Sequence, residues 1–175
     1  MKFSRDKKFI VLLLIIFHLF LFLGLYLEGL EPVSSTKLNV PKIIEINKGE
    51  NILSIAQKLK TQGLIKNRLV FIIEALRKGA YKEFKAGEYA LYPHQRLDEI
   101  FEILTKGKVY LHKVTIIEGA TLWEIAEVLE KNFICSKKEF LQLAENEEFV
   151  KNLGFPGPTI EGYLYPETYF FPKNT

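Results

Sequence analysis

The sequence predicts an α+β protein with one membrane-spanning helix at its N-terminus, followed by two similar units of strands and helices. Three observations lead to this fold class: a long uncharged apolar run, short β-type runs alternating with helical periodicity, and an internal similarity at a spacing of seventy residues. Of its 175 residues, 48% are apolar and 26% are charged. This balance is typical of globular proteins and excludes an intrinsically disordered chain.

The few cysteines and histidines exclude several classes of site. Cys135 is the only cysteine, so an internal disulfide framework and a four-cysteine zinc site are both excluded. The three histidines, His18, His94 and His112, are far apart in sequence and lack metal-ligand spacing. We therefore expect no metal site and no cofactor.

The excess of positive charge is confined to the N-terminus. The formal net charge is +3, and four basic residues against Asp6 account for all of it within residues 1–8. The remainder of the chain is balanced, so we expect no nucleic-acid partner. Residues 1–8 are interpreted as a cytoplasmic tail, because basic residues stay on the cytoplasmic side of a membrane.

The apolar run covers residues 9–27, FIVLLLIIFHLFLFLGLYL, which would span about 28 Å as a helix at ~1.5 Å per residue. A secretory signal peptide is the alternative, but its apolar region is usually ~7–15 residues long and ends in small residues. Here Tyr26, Leu27 and Glu28 end the run. We expect an uncleaved, single-pass anchor in the cytoplasmic membrane, with the bulk of the chain outside.

Residues 28–42 contain two prolines and two serines without apolar periodicity, and are predicted to be a linker. A β-α-α-β unit is predicted next, at residues 43–95. It comprises a strand at Ile43–Ile46, a helix capped by Asn51, a second helix from Asn67 to about Lys78, and a strand at Ala86–Tyr92.

The same arrangement is predicted to recur in residues 96–175. A shift of seventy residues places Ile46, Gly49, Ile52, Ile55, Ala56 and Leu59 on Ile116, Gly119, Leu122, Ile125, Ala126 and Leu129. Capping boxes at Thr121-x-x-Glu124 and Ser136-x-x-Glu139 mark two helix starts. Between the repeats, a helix is predicted around Leu97 to Leu104. The closing strand of the second unit is predicted at Gly162–Tyr165.

Two resemblances follow from these residues. The first unit, residues 43–95, resembles a LysM-type module through its topology, its length and the start Gly49-x-x-Ile52-x-x-Ile55-Ala56. The segment Ile160-Glu-Gly-Tyr-Leu-Tyr-Pro-Glu-Thr-Tyr169 is similar to the signature E-G-x-L-x-P-[DE]-T-Y of the endolytic murein transglycosylases, the YceG-like family. Residues 96–175 would then be the first, incomplete part of the catalytic domain.

The family resemblance implies an activity and a catalytic residue. Members cleave the bond from N-acetylmuramic acid to N-acetylglucosamine in nascent glycan strands and leave 1,6-anhydro ends, with the signature glutamate as general acid and base. That residue is Glu161 here. An acid catalyst must be protonated near neutral pH, so we expect apolar or aromatic surroundings that raise its pKa. If residues 161–165 form a strand, Tyr163 lies on the same side as Glu161 and is a candidate substrate contact.

Other function classes stay open at this stage. Family members continue well past the signature, whereas this chain ends at Thr175, so the sequence is expected to be a fragment or to need a partner chain. A non-catalytic, membrane-anchored peptidoglycan-binding protein is the alternative to the enzyme, and a membrane scaffold is a third possibility. The expected partners are peptidoglycan glycan strands, the membrane and, for the enzyme, peptidoglycan synthases.

Overall fold

The computed structural model describes residues 3–36 and 40–175. Residues 1–2 and 37–39, which belong to the predicted tail and linker, lie outside the described residues. The chain divides into two units, one ending at Lys108 and one starting at Val109. The helix predicted around Leu97 to Leu104 belongs to the first of them, although the sequence assigned it to the second part of the chain.

The first unit contains four α-helices and a two-stranded sheet within the described residues. Its elements in chain order are α1 (Phe3–Leu30), β1 (Lys42–Ile46), α2 (Ile52–Thr61), α3 (Arg68–Arg77), a 3-10 turn (Ala80–Lys82), β2 (Gly87–Leu91) and α4 (Leu97–Lys106). Those of the second unit are β3 (His112–Thr115), α5 (Leu122–Lys131), α6 (Lys137–Ala144), α7 (Glu147–Asn152) and β4 (Thr168–Phe171).

Each unit closes on an antiparallel pair of strands that lie far apart in sequence. In the first unit β1 pairs with β2, with Lys42 opposite Leu91 and Ile46 opposite Gly87. In the second unit β3 pairs with β4, with His112 opposite Phe171. Two helices lie between the strands of the first pair, and α7 is added in the second. The predicted β-α-α-β order is thus found in the first unit, and the second unit has the order β-α-α-α-β.

The helix starts are set by the side chains that the sequence marked. Asn51 accepts the backbone N–H of Ser54 at 2.9 Å, and the Thr121 and Ser136 capping boxes both form. Each of these side chains satisfies an N–H group that has no partner inside its own helix. Local chemistry thus places the starts of α2, α5 and α6.

The core of each unit is made of the periodic apolar residues. Phe71, Leu59 and Tyr89 are fully buried in the first unit. The Tyr89 hydroxyl donates to the Lys85 carbonyl at 2.7 Å, so this buried polar group has a partner. In the second unit the buried cluster consists of Val114, Ile125, Leu129 and Ile134.

Two local predictions are wrong. The closing strand of the second unit is Thr168–Phe171 and not Gly162–Tyr165, because residues 160–163 form a tight turn that cannot pair with a neighbouring strand. The predicted linker does not begin at Glu28 either. Residues 28–30 continue α1, and Gly29 is buried against the first unit. Helix α1 is long and apolar enough to cross a membrane.

Candidate active site

The signature glutamate lies in a tight turn between α7 and β4. The Tyr163 N–H donates to the Ile160 carbonyl at 3.1 Å, which makes Glu161 and Gly162 the two central residues of a β-turn. Gly162 has a φ of +78°, the value that the third residue of a type II turn requires. Glycine adopts this conformation without steric cost. The turn therefore explains why a glycine directly follows the signature glutamate.

Two backbone hydrogen bonds hold the loop that carries this turn. The Ile160 N–H donates to the Ala144 carbonyl at the end of α6, at 2.9 Å. The Ile116 N–H, just after β3, donates to the Glu167 carbonyl, also at 2.9 Å. The loop is thus attached at both ends to regular elements of the same unit, which fixes the position of Glu161 between them.

The carboxylate of Glu161 lies at the N-terminus of α5. Both of its oxygens are 3.3 Å from the backbone nitrogen of Leu122, the first residue of the helix. The capping box already uses the hydroxyl of Thr121 and the carboxylate of Glu124, and the hydrogen bonds from Thr121 lower the pKa of Glu124. Glu161 therefore accepts a helix N–H that the capping box leaves over. The helix dipole at this end favours a negative charge.

A cavity of about 280 Å³ adjoins the Glu161 side chain. This volume lies near the lower limit of the ~300–1,000 Å³ found for ligand pockets, so it would hold only part of a ligand. Glu161 is the only ionisable residue among the described residues that line the cavity. The other lining residues are Ile116, Ile117, Gly119, Ala120, Leu122, Ile125, Ile160, Gly162, Leu164 and Pro166.

A second depression of similar volume continues from this cavity along α5. It shares Ile116, Ile117, Ala120 and Ile125 with the first and reaches Val128. The two depressions therefore form one groove between the end of β3 and the first turns of α5. We call it the α5 groove.

The first unit has an ion pair where the second unit has the α5 groove. At the seventy-residue spacing, Ala120 corresponds to Glu50, and Val128 corresponds to Lys58. The Glu50 carboxylate and the Lys58 ammonium are 2.7 Å apart, and the Glu50 side chain is only 8% exposed. Replacing this pair by a small and an apolar residue leaves space beside α5.

Tyr163 lies apart from the cavity. Its ring contacts the ring of Phe155, with centroids 4.8 Å apart, and it is not among the residues that line the cavity. The alternation argument that placed Tyr163 beside Glu161 is wrong, because these residues form a turn and not a strand. Tyr165 is 78% exposed, and Tyr169 stacks on Phe171. The apolar surroundings of Glu161 are therefore aliphatic and not aromatic.

Sequence reasoning also missed two features of the site. The Leu122 N–H was not recognised as a partner of Glu161, although a capping box leaves further N–H groups at a helix start. The exposed ring of Trp123, in the first turn of α5, was not considered. The Lys137 ammonium lies 4.1 Å from the centre of this ring. Among the described residues, no group of three potential metal ligands comes together.

Fold and site together define an α+β protein of two units, each closed by an antiparallel strand pair, in which the exposed Glu161 is the one ionisable residue of the described chain that lines the aliphatic cavity. The chain belongs to the YceG-like family, whose model matches residues 44–175. The match runs from within β1 to the end of the chain and includes the turn that carries Glu161.

Curated relatives are named for an activity on the cell wall. The chain is 36% identical over 176 residues to the endolytic murein transglycosylase of Bacillus subtilis (strain 168), covering 90% of this chain and 47% of that protein. It is 28% identical over 205 residues to the endolytic murein transglycosylase of Streptococcus pneumoniae strain D39, covering 98% and 36%. The chain thus spans less than half the length of these relatives. The crystal structure of a YceG-like protein from Listeria monocytogenes matches with a TM-score of 0.44 and 28% identity, covering 74% of this chain and 48% of that one.

Proposed function

We propose that the protein is a membrane-anchored lytic transglycosylase that cuts the glycan strands of peptidoglycan, with Glu161 as its general acid and base. The observation that carries this proposal is the position of Glu161, the single ionisable group at an apolar cavity, bonded to the start of α5. Membership of the YceG-like family and the names of the curated relatives support the same reaction.

The proposed reaction needs one carboxyl group and no water. The neutral carboxylic acid of Glu161 donates its proton to the glycosidic oxygen as the bond from C1 of N-acetylmuramic acid to that oxygen breaks. The resulting carboxylate takes the proton of the C6 hydroxyl as O6 bonds to C1, which closes the 1,6-anhydro ring. Glu161 is then neutral again. An ordinary glycosidase needs a second carboxylate as a base or nucleophile, and this scheme does not.

The environment of Glu161 suits both halves of this cycle. A glycan strand that covers the aliphatic cavity would exclude water from the reacting bond. After proton donation, the Leu122 N–H and the N-terminus of α5 would stabilise the carboxylate. The α5 groove gives the strand a path on one side of the turn, beside Ala120 and Val128.

Helix α1 would hold the enzyme at the cytoplasmic membrane. Its uncharged run is long enough for a bilayer, and the basic residues that precede it would keep the N-terminus in the cytoplasm. The two units would then lie outside the cytoplasm, beside nascent glycan strands as these leave the membrane. Peptidoglycan synthases, which make these strands, are the partners we propose.

The test is an isosteric substitution with a matched control. Glu161→Gln keeps the size of the side chain but removes the acid, and Glu118→Gln makes the same change at an exposed residue of the β3–α5 turn that does not line the cavity. Both variants are made in the protein as the cell produces it and are incubated with sacculi. Mass spectrometry then measures 1,6-anhydromuramic ends. We expect Glu161→Gln to abolish these ends and Glu118→Gln to leave them unchanged.

Two results would contradict the proposal: anhydro ends that persist in Glu161→Gln, and a wild-type protein that binds sacculi without cutting them. The second result would favour a non-catalytic peptidoglycan-binding protein. The β-α-α-β topology of the first unit, which resembles a LysM-type module, is the observation behind this second candidate.

A further inference from the structure

The end of α1 is held to α3 by two contacts, and the residue that follows α1 is held to the start of α4 by a third. The Tyr26 hydroxyl donates a hydrogen bond to the Glu74 carboxylate. Gly29 lies so close to α3 that a Cβ atom added to it would come within 2.5 Å of Val70 Cγ2. Beyond the helix, Arg96 forms an ion pair with Glu31 at 3.2 Å. The anchor helix therefore meets the first unit through packed and hydrogen-bonded side chains.

The contacts also define the direction in which α3 points. Gly29 contacts Val70, and Tyr26, which lies earlier in α1, contacts Glu74, which lies later in α3. The two helices therefore run in opposite directions. Arg77 lies three residues beyond Glu74, which is roughly 4–5 Å further along α3 at a rise of ~1.5 Å per residue. The C-terminal end of α3 thus points towards the apolar part of α1 that precedes Tyr26.

The end of α3 and the following turn carry apolar and basic side chains together. We call Leu76, Arg77, Lys78, Tyr81 and Lys82 the α3 terminal surface, and all five are exposed. Residues 76–82, LRKGAYK, include three basic residues and no acidic one. This combination of tyrosine, leucine and long basic side chains is typical of the interface between a bilayer and water.

Two of the three basic side chains at this surface are paired with carboxylates, and the exposed Glu83 follows the third directly. Arg77 donates two hydrogen bonds to Glu74, which is 3% exposed. Lys78 forms an ion pair with Asp98 of α4. The Lys82 ammonium lies 5.8 Å from the centre of the Tyr81 ring, so a cation and an aromatic ring stand next to each other.

We propose that the α3 terminal surface lies in the lipid headgroup layer of the bilayer that α1 crosses. This inference rests on the proposed anchoring by α1. A span of about 20 residues that begins at Phe9 ends near Glu28, which puts Tyr26 at the edge of the hydrocarbon core. The C-terminal end of α3 lies at this same level and beyond it. Its basic side chains would meet the phosphate groups of the lipids, and Leu76 and Tyr81 would meet the interface.

The consequence is that the first unit cannot swing on a linker. The contact of α3 with α1 and the contact of the α3 terminal surface with the lipid would together hold the rest of the first unit against the membrane in one orientation. The first unit would then contact glycan strands at a fixed distance from the bilayer.

The test compares fluorescent probes at two positions of α3 and one in the 3-10 turn that follows it. Single cysteines replace Leu76, Tyr81 or Leu69 in the full chain, which also carries Cys135→Ala so that no other thiol reacts. Leu69 is the matched control, because it is an exposed leucine seven residues before Leu76 on the same face of α3, roughly 10 Å further from the bilayer. Each variant is labelled with an environment-sensitive dye and reconstituted into vesicles of phosphatidylcholine and phosphatidylglycerol. A lipid carrying a quencher near its headgroup is then added.

The quencher should remove most of the fluorescence from the probes at Leu76 and Tyr81, and little from the probe at Leu69. Equal quenching at all three positions, or none at Leu76 and Tyr81 in protein that floats with the vesicles, overturns the inference but leaves the proposed anchoring intact. Protein that fails to float with the vesicles overturns both. None of these readouts depends on the cutting of peptidoglycan, so the inference and the proposed activity are tested separately.

Discussion

Replacing Gly162 by alanine should show whether the turn that carries Glu161 contributes to activity as well as to the stability of the second unit. A residue other than glycine at a φ of +78° costs about 1–2 kcal/mol. A Cβ atom at this position would meet no other atom within 4 Å, so steric clash adds nothing to that figure. Gly154→Ala is the matched control, because Gly154 has a φ of +89° and equally open space but lies outside the cavity lining.

Both variants should lose about 1–2 kcal/mol in the free energy of unfolding, measured by urea denaturation of the detergent-solubilised protein. Only Gly162→Ala should reduce the formation of anhydro ends, because relief of its strain turns Glu161 away from the Leu122 N–H. A misplacement of about 1 Å costs on the order of 100-fold in rate. Equal activity in the two variants would refute this reasoning, since the turn would then contribute stability alone.

Two further substitutions test the contact between α1 and α3 and the contribution of the Glu74 carboxylate to stability. Gly29→Val should push the end of α1 away from Val70 and lower the free energy of unfolding of the detergent-solubilised protein, whereas Gly24→Val, at a position with open space around it, should not. Hydrogen bonds from Arg77 lower the pKa of Glu74 below its usual 4.5. The ionised carboxylate therefore stabilises the folded unit above pH 4.5, and this stabilisation is lost as the pH falls through the lower pKa of the folded state. Thermal unfolding between pH 7 and about pH 2 should therefore depend less steeply on pH in Glu74→Gln than in the wild type; equal slopes would contradict this assignment.

Most helices could be predicted from the sequence because their limits are set by neighbouring residues. Asn51 caps α2 as expected, Asn67 caps the helix that was predicted to start at it, and Gly63 and Gly79 adopt the positive φ that follows a helix end. The internal repeat was equally visible, because the same apolar spacing and the same glycine recur after seventy residues. These signals act within a few residues, so a single sequence contains them in full.

The end of the second unit could not be predicted in the same way. Residues 162–165 and 168–171 are both rich in aromatic residues and both could form a strand. Pairing with β3 decides between them, since Thr115 lies opposite Thr168 and Val114 opposite Tyr169. That choice depends on contacts between residues more than fifty positions apart, which local pattern does not contain.

The sequence by itself determined the apolar N-terminal helix, the internal similarity at seventy residues and the signature that points to Glu161, because each depends on adjacent or periodically spaced residues. Only the tertiary structure decided the surroundings of that glutamate. It brings Glu161 to the N–H of Leu122, thirty-nine residues earlier in the chain, and turns the ring of Tyr163 onto Phe155. The physical reason has two parts. The positive φ of Gly162 closes the turn, and the aliphatic side chains that line the cavity come from distant parts of the chain, so that Glu161 reaches them only in the folded unit.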